Sequence, residues 1–201
     1  MDPKEWATLW ASLYDGYDEG DYWLLINKSG ALAAPDFELM GRWKDNAPKE
    51  SDRWKPNVAT VAYDVWINAA SDLPKCPDVN DVAEFLSNWS ERKFRSGKSG
   101  LKSFGLARAT TLLHFISAGR FPIFDSRVTQ ATGWLLGLEP PNTVESYLIC
   151  CPLLEQISAA CGASDAAGRR KLDKALFAFG KWMADNAHLF RCALGRRRRK
   201  R

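Results

Sequence analysis

Three observations predict an all-α fold for this chain. Apolar residues recur at i, i+3, i+4 and i+7 in one segment after another, the spacing of a single buried helix face. Strand-like content is confined to one marginal stretch, Tyr22-Trp23-Leu24-Leu25-Ile26. The connections are short and carry Gly, Pro, Asp and Asn, the residues that end one helix and cap the next. About seven helices are expected in 201 residues, enough chain for a full core, and one domain or two tightly joined helical lobes are both allowed.

Residues 4 to 14 read as an amphipathic helix with Trp6, Leu9, Trp10 and Leu13 on one face and Pro3 near its first turn. Tyr14 to Asp21 is a loop of Asp, Gly and Tyr. Tyr22 to Ile26 is either a short strand or one helical turn, and Asn27 to Pro35 is a turn-rich link. The segment Phe37 to Pro56 holds Arg42-Trp43-Lys44 and, eleven residues later, Arg53-Trp54-Lys55. A cation-aromatic-cation triplet suits a surface that stacks on bases and neutralises phosphates. It suits equally a Trp packed inward with its charged neighbours reaching to solvent. Val58, Val61, Ala62 and Val65 then form a helical stripe, and Asp78 is a good N-cap for a helix carrying Val79, Val82, Leu86 and Trp89.

Glu91 to Gly100 is a short basic link, and with Lys102 it makes the densest internal positive stretch. The stretch that follows, Leu101 to Val128, organises the chain. Leu101-Lys102-Ser103-Phe104-Gly105 is a tight turn into a helix with Ala109, Leu112, Leu113 and Ile116 on one face. After a break at Gly119, Phe121-Pro122-Ile123-Phe124 leads to Asp125, at the start of another helix with Val128, Ala131 and Leu135 inward. That helix closes at Gly137. Thr143 caps the next, over 144 to 160, and a last one, over 165 to 190, carries Leu172, Ala175, Leu176, Phe179 and Met183.

Composition narrows the class. A hydrophobic content of 46% with nine tryptophans belongs to a folded protein. No run of 18 apolar residues appears and the N-terminus lacks the basic-then-apolar order of a secretory signal, so a soluble cytoplasmic protein without membrane contact is the expectation. The five cysteines, Cys76, Cys150, Cys151, Cys161 and Cys192, show no zinc spacing with His114 and His188 and read as buried small apolar residues, with no metal and no cofactor implied. The last six residues, 196 to 201, form an entirely cationic tail. Leaving them aside, 22 cationic residues face 24 acidic ones, so the body (1 to 195) is not a surface that binds nucleic acid by charge alone. The tail itself would add salt-sensitive phosphate affinity or would be a solvated end.

The 101–128 stretch resembles the helix-hairpin-helix DNA glycosylase superfamily, most closely its mismatch-adenine branch. Gly105 stands at the second hairpin glycine, Ala109 at the alanine four residues on, and Phe121-Pro122-Ile123-Phe124-Asp125 at the segment bearing the catalytic aspartate, twenty residues after the glycine as in the family. Ser103 and Lys102 replace the first hairpin glycine and the proline. The resemblance implies a glycosylase-like helical bundle over 1 to 195, DNA as partner, and Asp125 as the catalytic carboxylate. It implies a monofunctional enzyme, because Ala107 stands where bifunctional members carry an amine nucleophile. The four-cysteine spacing of the iron-sulfur members is missing.

The chemistry agrees with those residues. Breaking an N-glycosidic bond develops positive charge on the sugar, which a carboxylate in a dry pocket stabilises while it orients the attacking water. Asp125 is one ionisable group among Phe121, Ile123 and Phe124; as Asp-Ser-Arg-Val it is also an ordinary helix cap. Backbone N–H groups at a glycine turn can hold a DNA phosphate at Gly105, with Lys102, Arg108 and Arg127 adding charge. Trp43 and Trp54 are candidates to stack on or wedge beside a flipped base, with Tyr63 a further one. His114 is expected to be a packed histidine, not an acid. Base repair and attack on modified phage DNA both fit. The alternative is a non-catalytic helix-hairpin-helix protein that binds DNA and releases no base, with no obligate protein partner evident in either case.

Overall fold

The computed structural model describes residues 1–16, 19–28, 32–44, 73, 77–95, 106–137 and 143–188, with the backbone alone for 89–95. Among the described residues there are eight helices and no strand: α1 (Pro3–Ser12), α2 (Glu19–Ile26), α3 (Ala34–Lys44), α4 (Val79–Arg95), α5 (Leu106–Ile116), α6 (Ser126–Leu136), α7 (Val144–Ala160) and α8 (Ala166–Asp185). None of these is long and apolar enough to cross a membrane. The stripe at Val58 to Val65, the hairpin at 101–105 and the basic tail lie outside the described residues.

Local chemistry sets the helix ends. Asp2 caps α1 in a reciprocal capping box with Glu5, and Pro3 opens the first turn. Asp78 Oδ1 accepts from the backbone N–H groups of Asn80 and Asp81, while Asp81 accepts from the N–H of Asp78. Thr143 caps α7, Asp165 caps α8, and Gly137 closes α6 at φ 66°, a left-handed conformation that glycine adopts without strain. Sequence patterning is corrected in three places. Tyr22 to Ile26 belongs to a helix that begins already at Glu19, because Tyr22, Leu25 and Ile26 fall on one buried helical face. A further helix, α3, starts within the expected turn-rich link and continues to Lys44. Finally, α4 extends to Arg95, through the first half of the expected basic link.

α5 is the central element. Ala109, Leu112 and Leu113 face the core as their spacing predicts, but Thr110, Thr111, His114 and Phe115 are buried as well, so the helix is enclosed on nearly every side. α2, α3 and α4 all pack on it. α8 forms the second backbone of the molecule, with α1 and α6 packed along it. The α1 contact is aromatic, with Trp6 and Trp10 meeting Phe179 edge-on at 5.6 and 4.8 Å. The α6 contact depends on Gly180, where a Cβ would stand 2.0 Å from the carbonyl oxygen of Arg127. Buried residues from α2 through α8 join in one hydrophobic cluster.

Candidate functional site

Between α5 and α6 residues 120 to 125 form an irregular connection that bends at Phe121, and side chains from its neighbours satisfy several of its backbone groups. The turn into it uses Gly119 at φ 80°. His114 Nδ1 lies 2.8 Å from the carbonyl oxygen of Phe121, and Nε2 lies 2.9 Å from the Tyr22 hydroxyl. A carbonyl only accepts, so Nδ1 carries the proton; the ring is neutral and Nε2 accepts from Tyr22. Burial lowers the His114 pKa and raises that of Tyr22, which keeps both groups in these roles. The Tyr147 hydroxyl donates to the carbonyl of Pro122 at 3.2 Å, and the Phe124 N–H donates to Thr110 Oγ1 at 3.0 Å. With Phe121, Ile123 and Phe124 buried, the lead-in to Asp125 is anchored by both packing and hydrogen bonds.

Asp125 caps α6. Its Oδ1 accepts from the N–H groups of Arg127 and Val128, both at 3.0 Å. Its Oδ2 accepts from Lys44 Nζ, also at 3.0 Å, and the two side chains are 13% and 8% exposed. Each charge stands at the helix end that favours it, the carboxylate at the N-terminus of α6 and the ammonium at the C-terminus of α3. The pair is nearly desolvated, so removing either side chain takes from the other its charge partner in a place that water scarcely reaches.

Lys44, read in the sequence as a phosphate-neutralising or solvent-reaching member of the Arg42-Trp43-Lys44 triplet, is instead buried against Asp125, a role that the sequence reading missed. The signal was present: Phe37, Met40, Gly41 and Lys44 fall at i, i+3, i+4 and i+7 and are all buried, which puts a lysine on the inward stripe of α3. What the sequence lacked was any indication of its partner, 81 residues away.

Trp43 is corrected. It is 3% exposed, tilted against Tyr22 at 5.8 Å and edge-on to Phe115 at 5.2 Å, so it belongs to the core and offers no face to a base. Arg127 and Arg108 are half-buried, in the first turns of α6 and α5. Lys102, Gly105, Trp54 and Tyr63 lie outside the described residues. Among the cysteines described, Cys150 and Cys151 are buried and Cys161 half-buried, all as free thiols. No group of three His, Cys, Asp or Glu side chains converges among the described residues. No protein-family model, curated protein or solved structure matches this chain.

Proposed function

We propose that the chain is a DNA glycosylase of the helix-hairpin-helix kind, hydrolysing the N-glycosidic bond of a damaged or modified base that has left the duplex stack. The observation that carries this reading is Asp125: a scarcely exposed carboxylate at a helix N-terminus, at the end of an anchored apolar segment and twenty residues after Gly105. Two backbone amides hold Oδ1, which leaves Oδ2 to face the sugar. Lys44 holds that oxygen in this structure, so binding of the sugar would have to move the ammonium off Oδ2 before the carboxylate could face the positive charge that develops at C1′. Base release then follows attack by a water that the same carboxylate orients.

A second reading is favoured by one specific observation. Ala107 removes the amine nucleophile from its usual place, yet Lys44 brings another amine within 3.0 Å of the same carboxylate. Lys44 would then pass a proton to Asp125, its free amine would bond to C1′ as the glycosidic bond breaks and the base leaves, and β-elimination of the 3′ phosphate from the resulting imine would break the strand without alkali.

DNA duplexes carrying a panel of damaged and hypermodified bases, incubated with the protein and then treated with hot alkali, test the proposal. Strand breaks at one class of base are expected, and Asp125→Asn should lower them by at least about 1,000-fold with DNA binding retained. Undiminished breakage in that variant refutes the role given to Asp125. Binding without breakage at any base leaves the non-catalytic DNA-binding alternative. Breaks that appear before alkali select the amine route.

A further inference from the structure

Along the face where α1 and α6 pack on α8, large apolar side chains remain in solvent. Trp134 of α6 is 51% exposed and Trp182 of α8 is 41% exposed, and Leu9 and Leu13, on α1 and at its C-cap, are 45% and 58% exposed. Ring contacts make the tryptophans one patch. Trp134 meets the buried Phe179 edge-on at 5.3 Å, Phe179 stacks on Trp182 at 6.1 Å, and Trp182 lies 5.6 Å from Trp10, one helical turn before Leu13. Each exposed indole is thus backed by other rings, which lowers the entropy it has left to lose on being covered.

The size of this patch fits an interface between proteins. At about 250 Å² for a whole tryptophan side chain, Trp134 and Trp182 together present roughly 230 Å². Leu9 and Leu13 carry the patch well into the range of about 300–600 Å² that marks an interaction surface. A standard interface takes about 800 Å² from each partner, of which about 57% is apolar, and this patch supplies the larger part of that apolar share.

The charges at its edge narrow the partner. Lys181 pairs with Asp15 at 2.5 Å, the two side chains 42% and 64% exposed, and Asp185, a turn beyond Lys181, is exposed as well. A nucleic acid or an anionic lipid surface is met by cations in excess. Here both signs stand side by side, and an ion pair this exposed contributes little to the monomer, so it is readily exchanged for an intermolecular one. A surface with an apolar centre and opposite charges at one edge is complementary to itself under a two-fold rotation. We infer that the chain forms a symmetric dimer through this face, with Trp134 and Trp182 of both copies at the centre and Lys181 of each copy paired with Asp15 of the other. Asp125 stands at the opposite end of α6 from Trp134, so no role given to it enters here.

Sedimentation equilibrium of the full chain should show the mass doubling as concentration rises from about 1 to about 200 µM, the range of a moderate to weak interface. Trp134→Ser combined with Trp182→Ser should leave the chain monomeric throughout, with circular dichroism confirming that it is folded. Asp15→Lys and Lys181→Asp should each weaken association about ten-fold, and an equimolar mixture of the two should recover it, because each altered charge then faces its opposite on the other chain. The intrachain pair is broken in both variants, so a merely structural role for it predicts no recovery. A wild type that stays monomeric, a dimer that survives loss of both tryptophans, or a mixture no tighter than its components would each overturn the inference. In the first case, quenching of tryptophan emission by single-stranded DNA or by anionic vesicles would assign the face to that partner instead.

Discussion

At the scale of single residues, the segment that ends at Asp125 is held by groups whose protonation is fixed by burial. His114 is the clearest case, neutral and bonded through both nitrogens. Its pKa in the folded protein lies below the ordinary 6.5 because burial penalises the imidazolium. The unfolded chain therefore takes up a proton at a pH where the folded one does not. Stability is complete above about pH 6.5 and erodes as pH falls towards the folded value, by at most about 1.4 kcal/mol per pH unit. Urea midpoints measured from pH 7.5 to 5.5 should drop in the wild type. His114→Gln should start from a lower midpoint and show a flatter slope over that interval. The Lys44–Asp125 pair is a different kind of residue-scale device: each charge is held by the other and by a helix end, and with two backbone N–H groups on Oδ1 the carboxylate oxygens keep one geometry.

At the scale of elements, the position of Asp125 depends on how closely α6 lies against α8. Gly180 sits where the backbone of α6 begins, and a methyl group there would meet the Arg127 carbonyl, which cannot swing aside as a side chain end could. Gly180→Ala should separate the two helices and destabilise the protein by about 1–3 kcal/mol, the usual range for overpacking. That the loss comes from a clash and not from helix propensity is checked by its sign, since Ala is the better helix former and an unhindered site would gain stability. Thermal melts of the two proteins measure it.

At the scale of the whole molecule, Arg170 ties the N-terminal helices to α8. It is 2% exposed, bonds Glu19 at 2.6 Å, Asp173 at 2.5 Å and the Tyr14 hydroxyl at 3.2 Å, and lies over the Tyr22 ring at 4.3 Å. It also lies 5.4 Å from the Trp43 ring, so a single guanidinium touches α2, α3 and α8. Truncating it leaves Asp173 enclosed without its cation. Arg170→Met should therefore cost about 3–5 kcal/mol in urea unfolding, with Arg170→Lys losing less because it keeps the charge but not the planar fork.

Much of the fold was legible because helix formation is largely a local matter. The caps at Asp78, Thr143 and Gly137, the burial of Ala109, Leu112 and Leu113, and the placing of Asp125 at a helix start all follow from residues within a turn or two of one another. Spacing also limited what could be read: Arg42-Trp43-Lys44 suited a stacking surface as well as an inward Trp, and the core of Tyr22 and Phe115 decided for the latter. The sequence alone thus determined the all-helical class, the places of α1 and α5 to α8 to within a few residues, and which acid stands at the head of α6. Only the tertiary structure decided that Lys44 reaches that acid, that Gly180 sets the approach of α6, and that Arg170 joins α2 and α3 to α8, because such contacts join residues far apart in the chain through the packing of faces, which local periodicity does not encode.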